Sequence, residues 1–162
     1  MMTMKLNING EDISVVAEAR ESLADILRER LSLTGTHIGC EHGACCACTI
    51  EVDGKAVRAC LMLGVMAEGR RVTTIEGLRD DRIMTVLRRH FHEKHALQCG
   101  FCTPGMLIMA RELLKKGAYM SEMDVREGMA GQICRCTGYA GIVRAIAAAI
   151  EEMQNAGANV SA

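Results

Sequence analysis

Eight of the nine cysteines in this chain fall into two separate sets of four. The first set reads C-x4-C-x2-C and gains a fourth member after eleven intervening residues, and the second set joins a C-x2-C pair to a C-x-C pair. The members are Cys40, Cys45, Cys48 and Cys60 in the first set, and Cys99, Cys102, Cys134 and Cys136 in the second. The first spacing is typical of a plant-type [2Fe-2S] cluster. Two one-electron centres in one small chain predict an electron relay.

Two other uses of the cysteines stay open at this point. An all-cysteine zinc site commonly combines two close pairs, so the second set resembles a zinc site more than the first set does. A secreted disulfide framework is less favoured, because nine is an odd number and the start, MMTMKLNING, does not read as a signal peptide. The tandem of two sets favours electron transfer, since one-electron centres are useful in series.

Composition and charge limit the possible partners. A chain of 162 residues that is 49% hydrophobic has room for one ordinary domain or two small ones. The net charge of −1 argues against nucleic-acid or anionic-membrane partners, which require a concentrated basic surface. No stretch approaches the length of an apolar membrane span. We therefore expect a soluble, cytoplasmic chain.

The first half has the period of β-strands. Alternating apolar residues flank an Asn9-Gly10 dipeptide that favours a hairpin turn, and Asp53-Gly54 predicts a second hairpin that delivers Cys60. The predicted elements are strands at 4–8, 13–16, 49–52, 56–59 and 71–75 and a helix at 22–31, whose start is capped by Ser22 with Asp25. Strands with one helix predict a ferredoxin-like β-grasp domain over residues 1–76.

The second half changes to the 3.6-residue period of helices after Glu76-Gly77, so we place the domain boundary there and expect residues 77–162 to be all-α. The predicted helices are at about 80–95, 103–116, 121–130 and 141–154. Thr103 is the expected N-cap of the second helix with Pro104 at its first position, Gly117 marks its end, and Ser121 with Asp124 caps the third. The tail from residue 156 is expected to fray.

The helical half also contains an internal sequence repeat. A helix, a close cysteine pair, Thr and Gly residues and another helix occur once around C-G-F-C-T-P-G and again around C-R-C-T-G-Y. This repeat predicts a pseudo-two-fold arrangement of four helices. Each helical hairpin would then contribute two thiolates to a centre that lies where the hairpins meet.

Three motifs, G-C-E-H-G-A-C-C-A-C-T-I, Q-C-G-F-C-T-P-G-M and C-R-C-T-G-Y, resemble signatures of the iron-sulfur small subunit of the molybdenum hydroxylases. This family includes xanthine dehydrogenase, aldehyde oxidase and carbon monoxide dehydrogenase, and the resemblance spans nearly the whole chain. It implies that the first cysteine set holds the distal [2Fe-2S] cluster in the β-grasp domain. The second set would hold the proximal cluster, the one nearer the molybdenum, in the helical domain.

The resemblance also implies partners. A large subunit would carry molybdopterin, as its cytosine dinucleotide, and oxidise the substrate with water as the oxygen source. Electrons would pass through both clusters to a medium FAD-binding subunit, and the complex would be a dimer of heterotrimers. Gln98 and Cys136 would contact the pterin cofactor, and this chain would carry no catalytic residue of its own. Neither a G-x-G-x-x-G nor a P-loop motif is present, so flavin and molybdenum must come from partner chains.

Residues beside the cysteine sets admit more than one interpretation. Cys46 stands where the family usually has Gly, and we interpret it as a packed bystander rather than a ninth ligand. Arg135 could raise the potential of the second cluster or simply be solvated. His37 and His42 could suggest Rieske ligation, but four cysteines already suffice, so we expect them at the surface or beside the ligands.

A free ferredoxin-type shuttle is the second candidate function. A shuttle would expose its clusters to several partners, whereas a subunit would present an apolar docking surface. Met106, Met109 and their neighbours are candidates for such a surface, although a methionine stripe is more often plain core.

Overall fold

Five strands of the first half pair into one mixed sheet. In the computed structural model, which describes residues 1–116 and 120–158, their order across the sheet is β2-β1-β5-β3-β4. The strands are β1 Met2–Ile8, β2 Glu11–Ala17, β3 Thr49–Val52, β4 Lys55–Arg58 and β5 Arg71–Thr73. β1 and β5 run parallel, and every other pairing is antiparallel. The second predicted hairpin is present, but its second strand, β4, begins and ends one residue early, because Ala59 already belongs to a 3-10 turn that also contains Cys60.

The first hairpin turns at Asn9 and Gly10, as predicted. Both residues have positive φ, 55° and 89°, which the tight turn between twisted strands requires. The Asn9 side chain then ties this turn to the end of β5, because Oδ1 accepts from the Thr74 N–H at 2.8 Å and Nδ2 donates to Thr74 Oγ1 at 3.0 Å. The hairpin is thus fixed to the segment that leads into the helical half.

The α-helix expected at 22–31 is only three residues long and continues as a turn of π-helix, which has a wider backbone spiral. Ser22 caps it as expected, accepting from the Asp25 N–H at 3.1 Å, but α1 covers only Leu23–Asp25 and continues as a π-helical turn, Ile26–Arg30. The Leu31 N–H reaches back to the Ile26 carbonyl at 3.1 Å. Leu23, Ile26 and Leu27 are fully buried in the first core, so this widened turn packs its apolar side chains against the sheet.

Four longer helices follow: α2 Arg82–Glu93, α3 Thr103–Lys115, α4 Glu122–Gly128 and α5 Ala140–Ala158. The capping box of Ser121 and Asp124 is confirmed. The prediction that Thr103 is the N-cap of α3 is wrong by one position, since Cys102 is the N-cap and Thr103 is already helical. The predicted tail begins too early, because α5 continues to Ala158. Gly117 and residues 159–162 lie outside the described residues.

Two hydrophobic cores form, one under the sheet and one among the helices. The first holds strand residues such as Leu6 and Ile50 together with α1, and the second holds Phe91 of α2, Met106 of α3 and Ile146 of α5. α2 contacts both α3 and α5, and α3 also contacts β3 and β4. Within the described residues, no helix is long and apolar enough to cross a membrane.

A buried ion network joins α3 to the sheet. The guanidinium of Arg111 lies 2.6 Å from Glu51 Oε1 and 2.6 Å from Asp81 Oδ2, and Lys115 Nζ lies 2.7 Å from Glu51 Oε1. The Glu51 side chain is only 5% exposed, so its charge is stable there only because it is paired. The hydrogen bond from Arg111 holds the pKa of Asp81 below its usual value. Charge pairing therefore fixes the two halves against each other.

We expect Arg111→Ala to lower the free energy of unfolding by about 3 kcal/mol, because Glu51 would keep only Lys115 as a buried partner. Arg126→Ala is the matched control, since it removes an exposed pair with Glu122 and should cost about 0.5 kcal/mol or less. Urea unfolding measures both values. Equal losses in the two variants would contradict the importance of the network.

Candidate metal centres

The first cysteine set lies in the loop between the π-helical turn and β3. Glu41, Gly43 and Cys46 have positive φ values of 58°, 80° and 63°, so the backbone curls tightly here. The Cys45 N–H donates to Cys40 Sγ at 3.3 Å. Donation from the backbone N–H groups of Cys45 and His42 lowers the pKa of Cys40 to about 6, which favours its thiolate. A curled backbone that points N–H groups at sulfur suits an iron-sulfur cluster.

The other two sulfurs of the first set lie at the open end of the second hairpin, one beside each strand. Cys48 directly precedes β3 and Cys60 follows β4, and the Ala59 N–H bonds the Cys48 carbonyl at 3.2 Å. Burial raises the pKa of the Cys48 thiol to about 12. A bound cation would reverse this effect, because coordination removes the proton of a thiol. The donor set therefore fits a metal cluster.

In the second set, one pair of sulfurs is exposed and the other pair is more enclosed. Cys99 and Cys136 are exposed, with their Sγ atoms 3.5 Å apart. Cys102 is half-buried, and burial raises its pKa to about 12. Cys134 is buried, which by itself raises its pKa, but hydrogen bonds from Thr137 and from the Cys136 N–H lower it overall. Thr137 Oγ1 lies 3.2 Å from Cys134 Sγ.

Within each set, every sulfur has one neighbouring sulfur with which it interacts through its side chain. The interacting pairs are Cys40 with Cys45, Cys48 with Cys60, Cys99 with Cys136, and Cys102 with Cys134. Two thiolates per metal and two metals per set are what a [2Fe-2S] cluster requires. Among residues 1–116 and 120–158, no three His, Cys, Asp or Glu side chains are grouped to hold one ion. None of the nine cysteines, which all lie in these ranges, forms a disulfide.

The two cysteine loops contact each other directly. The Ile133 N–H donates to the Cys45 carbonyl at 3.1 Å. The His37 ring stacks on Phe101 with centroids 4.8 Å apart, and its Nδ1 lies 2.7 Å from the Phe101 carbonyl oxygen. The first turn of α3 also lies against the first loop, since a Cβ on Gly105 would come within 2.5 Å of the Cys46 carbonyl oxygen.

Two family models together cover most of the chain. Residues 6–74 match the 2Fe-2S iron-sulfur cluster binding domain, and residues 74–147 match the [2Fe-2S] binding domain. The caffeine dehydrogenase subunit gamma of Pseudomonas sp. (strain CBB1) is 49% identical over 146 residues, which are 88% of this chain and 87% of that subunit. The nicotine 6-hydroxylase small subunit of Paenarthrobacter nicotinovorans is 48% identical, covering 87% of this chain and 85% of its own.

The chain belongs to the iron-sulfur small subunits of the molybdenum hydroxylases. A chain of quinoline 2-oxidoreductase from Pseudomonas putida superposes on this small subunit with a TM-score of 0.88 and 47% identity, covering 96% of this chain and 97% of the other. In the aldehyde oxidoreductase of Desulfovibrio desulfuricans the match has a TM-score of 0.86 and 37% identity, over 96% of this chain but only 17% of that one. The small subunit transfers electrons, and two [2Fe-2S] clusters are its cofactors.

The structure places the other predicted residues of the small subunit around these loops. Gln98 is exposed next to Cys99, and Arg135 is exposed between the two sulfurs of the C-x-C pair. Cys46 is only 3% exposed. Nδ1 of the exposed His42 lies 2.5 Å from the Cys40 carbonyl oxygen. The roles of these residues toward the cofactors stay predictions.

The prediction that Met106 and Met109 form part of an apolar docking surface is wrong. Met106 is 1% exposed and belongs to the second core, and Met109 packs against that core, so the plain-core interpretation is the correct one. The exposed apolar side chains near the second set are instead Leu97, Phe101, Ile133 and Tyr139.

The sequence analysis did not identify two residues that form hydrogen bonds to Cys134. Thr137 donates to Cys134 Sγ, and the Tyr139 hydroxyl accepts from the Cys134 N–H at 2.9 Å. The signal for Thr137 was present, because a Thr just after a cysteine can turn its hydroxyl back onto the preceding residues. The contact of Tyr139 depends on its φ of 68°, which the pattern C-R-C-T-G-Y does not reveal.

We expect Gly105→Ala to destabilise the iron-loaded small subunit by about 1–3 kcal/mol, because its Cβ would meet the backbone oxygens of Cys46 and Ala47. Helix propensity alone predicts the opposite sign, a gain of up to about 1 kcal/mol. Gly128→Ala is the control, since its Cβ meets only the movable end of Leu113. Urea unfolding and iron retention measure the effect, and a more stable Gly105→Ala variant would contradict the close contact.

Proposed function

We propose that the first cysteine set holds one [2Fe-2S] cluster and the second set holds the other. Cys40 and Cys45 would bind one iron of the first cluster, and Cys48 with Cys60 the second iron. Each bound cluster supplies the ability to accept and pass on one electron. The pairwise interaction of the sulfurs supports this assignment. The proposed domains remain 1–76 and 77–162, and the two separate hydrophobic cores support that division.

The direction of electron flow is inferred from the exposure of one pair of sulfurs in the second cysteine set. Cys99 and Cys136 are both exposed, and the exposed Gln98 directly precedes Cys99 in the chain. Cys102 and Cys134 on the other side of the set are more enclosed. A partner that delivers electrons therefore meets the exposed pair first. We assign the pterin cofactor of a large subunit to this face, with Gln98 and Cys136 as its contacts.

An apolar rim around this exposed pair supports a docked subunit rather than a free shuttle. Leu97, Phe101 and Ile133 are 40–50% exposed, and Tyr139 is 38% exposed. Gln132 is only 4% exposed, and its Nε2 has no partner among the described residues. It lines a cavity of about 410 Å³ that Ile133 and Tyr139 also line. Apolar side chains and an unsatisfied amide are features that a partner protein would cover.

The second set also supports the pseudo-two-fold arrangement. Each interacting pair takes one sulfur from the loop before α3 and one from the loop before α5. A centre built this way lies where the two helical hairpins meet. The remaining assembly is proposed from the family alone: molybdopterin cytosine dinucleotide on the large subunit, FAD on a medium subunit, a dimer of heterotrimers, and a cytoplasmic location.

Cysteine variants test the ligand assignment. Wild type should contain about four irons and four labile sulfides per chain, and a Ser at any of the eight assigned positions should leave about two irons. Cys46→Ser should keep the full content, because Cys46 points its weak donor at the Gly43 carbonyl oxygen, 3.7 Å away. Iron and sulfide analysis with electron paramagnetic resonance measures the outcome. Loss of one cluster in Cys46→Ser would contradict the assignment.

The function itself is tested in the complex with the co-purifying large chain. Substrate should reduce both clusters, and Gln98→Ala should slow this reduction several-fold while iron content stays the same. Reduction by dithionite is the control, since it bypasses the pterin and should be unchanged. Unaltered substrate kinetics in Gln98→Ala would remove Gln98 from the cofactor contacts, and a small chain that always purifies alone and active would favour the shuttle.

A further inference from the structure

Three hydrogen bonds join Cys134, Thr137 and Tyr139 into a closed ring. The Cys134 N–H donates to the Tyr139 hydroxyl at 2.9 Å, and the Tyr139 N–H donates to Thr137 Oγ1 at 3.2 Å. The Thr137 hydroxyl in turn donates to Cys134 Sγ at 3.2 Å. Gly138 and Tyr139 both have positive φ, 64° and 68°, so the chain turns back toward Cys134 here. The ring therefore ends on a sulfur of the proposed second ligand set.

The ring fixes the direction in which the Thr137 hydroxyl points. A hydroxyl has one hydrogen to donate and two lone pairs that accept. The Tyr139 N–H can only donate, so it occupies a lone pair of Oγ1 and leaves the hydrogen directed elsewhere. The acceptor that this hydrogen faces is Cys134 Sγ. Because Cys134 is only 9% exposed, little water competes for the bond.

We propose that the Thr137 hydroxyl raises the reduction potential of the second cluster by donating to Cys134 Sγ. This proposal rests on the proposed ligand assignment. A cluster that accepts one electron becomes more negative, so a donor aimed at a ligand sulfur stabilises the reduced state more than the oxidised state. The hydroxyl keeps its proton, and no covalent bond forms or breaks. Thr137 acts through Cys134 and is a positioning residue rather than a catalytic one.

The side-chain bond can be separated from two backbone bonds to the same sulfur. The N–H groups of Cys136 and Thr137 each donate to Cys134 Sγ at 3.4 Å. Every residue type except proline supplies these main-chain donors. The hydroxyl makes the shortest of the three contacts and is the one that depends on the side chain. A substitution at position 137 therefore removes it and leaves the backbone donors in place.

The first cysteine set offers a matched comparison. Within the described part of the chain, no hydroxyl donates to a sulfur of that set, and Cys40 Sγ accepts from the backbone N–H of Cys45. Thr49 directly follows Cys48, but its hydroxyl donates to the Cys46 carbonyl oxygen at 2.6 Å. The Thr49 N–H bonds the same oxygen at 3.2 Å, so this carbonyl keeps a partner when the hydroxyl is removed. Thr49→Val is therefore a control that loses a hydroxyl beside a ligand without losing a bond to sulfur.

The experiment compares variants in the complex with the co-purifying large chain. Thr137→Val replaces the hydroxyl by a methyl group of similar size, and Thr137→Ser keeps the hydroxyl. A redox titration followed by electron paramagnetic resonance measures the midpoint potential of each cluster. The Ser variants of the eight assigned cysteines show which signal belongs to which cluster. Iron content is measured in parallel.

We expect Thr137→Val to lower the potential of the second cluster and to leave the first unchanged. The share of a single electron that resides on the second cluster should fall several-fold, up to about tenfold, which is about 59 mV for a one-electron couple. Thr137→Ser and Thr49→Val should keep both wild-type potentials.

Four outcomes would overturn the inference: an unchanged second potential in Thr137→Val, an equal shift of both clusters, a shift as large in Thr137→Ser, or a shift as large in Thr49→Val. If valine prevents iron loading, Thr137→Ala removes the same hydroxyl with less bulk, and the same outcomes decide. Loss of iron in both variants would give Thr137 a structural role and would also overturn the inference. A wild-type chain without iron would refute the proposed function instead.

Discussion

Under the proposed ligand assignment, the conformation of the cysteine loops depends on the attraction between the thiolates, several of them partly or fully buried, and a bound metal. Cys48 and Cys102 lie where burial raises their pKa to about 12, so without a cation they would remain neutral thiols. The first loop also holds Glu41 and Cys46 at positive φ, which costs about 1–2 kcal/mol for each non-glycine residue. Coordination by the proposed ligands would offset both costs, so metal binding and the loop conformation would be one equilibrium.

Helix α3 is the element that both halves share. Its first turn lies against the first cysteine loop at Gly105, and Cys102 of the second set forms its N-cap. Farther along the helix, Arg111 and Lys115 pair with the buried Glu51 of β3. One rigid helix thus fixes the distance between the cysteine sets at one point and the packing of the two halves at another. Two small cores alone would leave this relation less defined.

Much of this architecture could be read from local patterns. The Asn9-Gly10 turn, the capping box at Ser121 and the spacing of the cysteines each concern neighbouring residues, and local chemistry determines them. The features that escaped prediction are tertiary. The π-helical turn after α1 packs its apolar side chains in the first core, and the bond from Ile133 to Cys45 joins residues far apart in the chain. The prediction of Met106 as a surface residue failed because the sequence of an apolar stripe does not show which neighbouring elements will cover it; in the structure Met106 is buried.

The exposed Cys99–Cys136 pair has a consequence for how the protein must be assembled in the cell. Free sulfurs 3.5 Å apart need only small side-chain rotations to form a disulfide, whose S–S bond is about 2.05 Å long. Air oxidation of the newly made polypeptide would close this pair and block iron and sulfide from entering. Iron and sulfide would therefore have to enter the helical site while the thiols of this pair are still reduced.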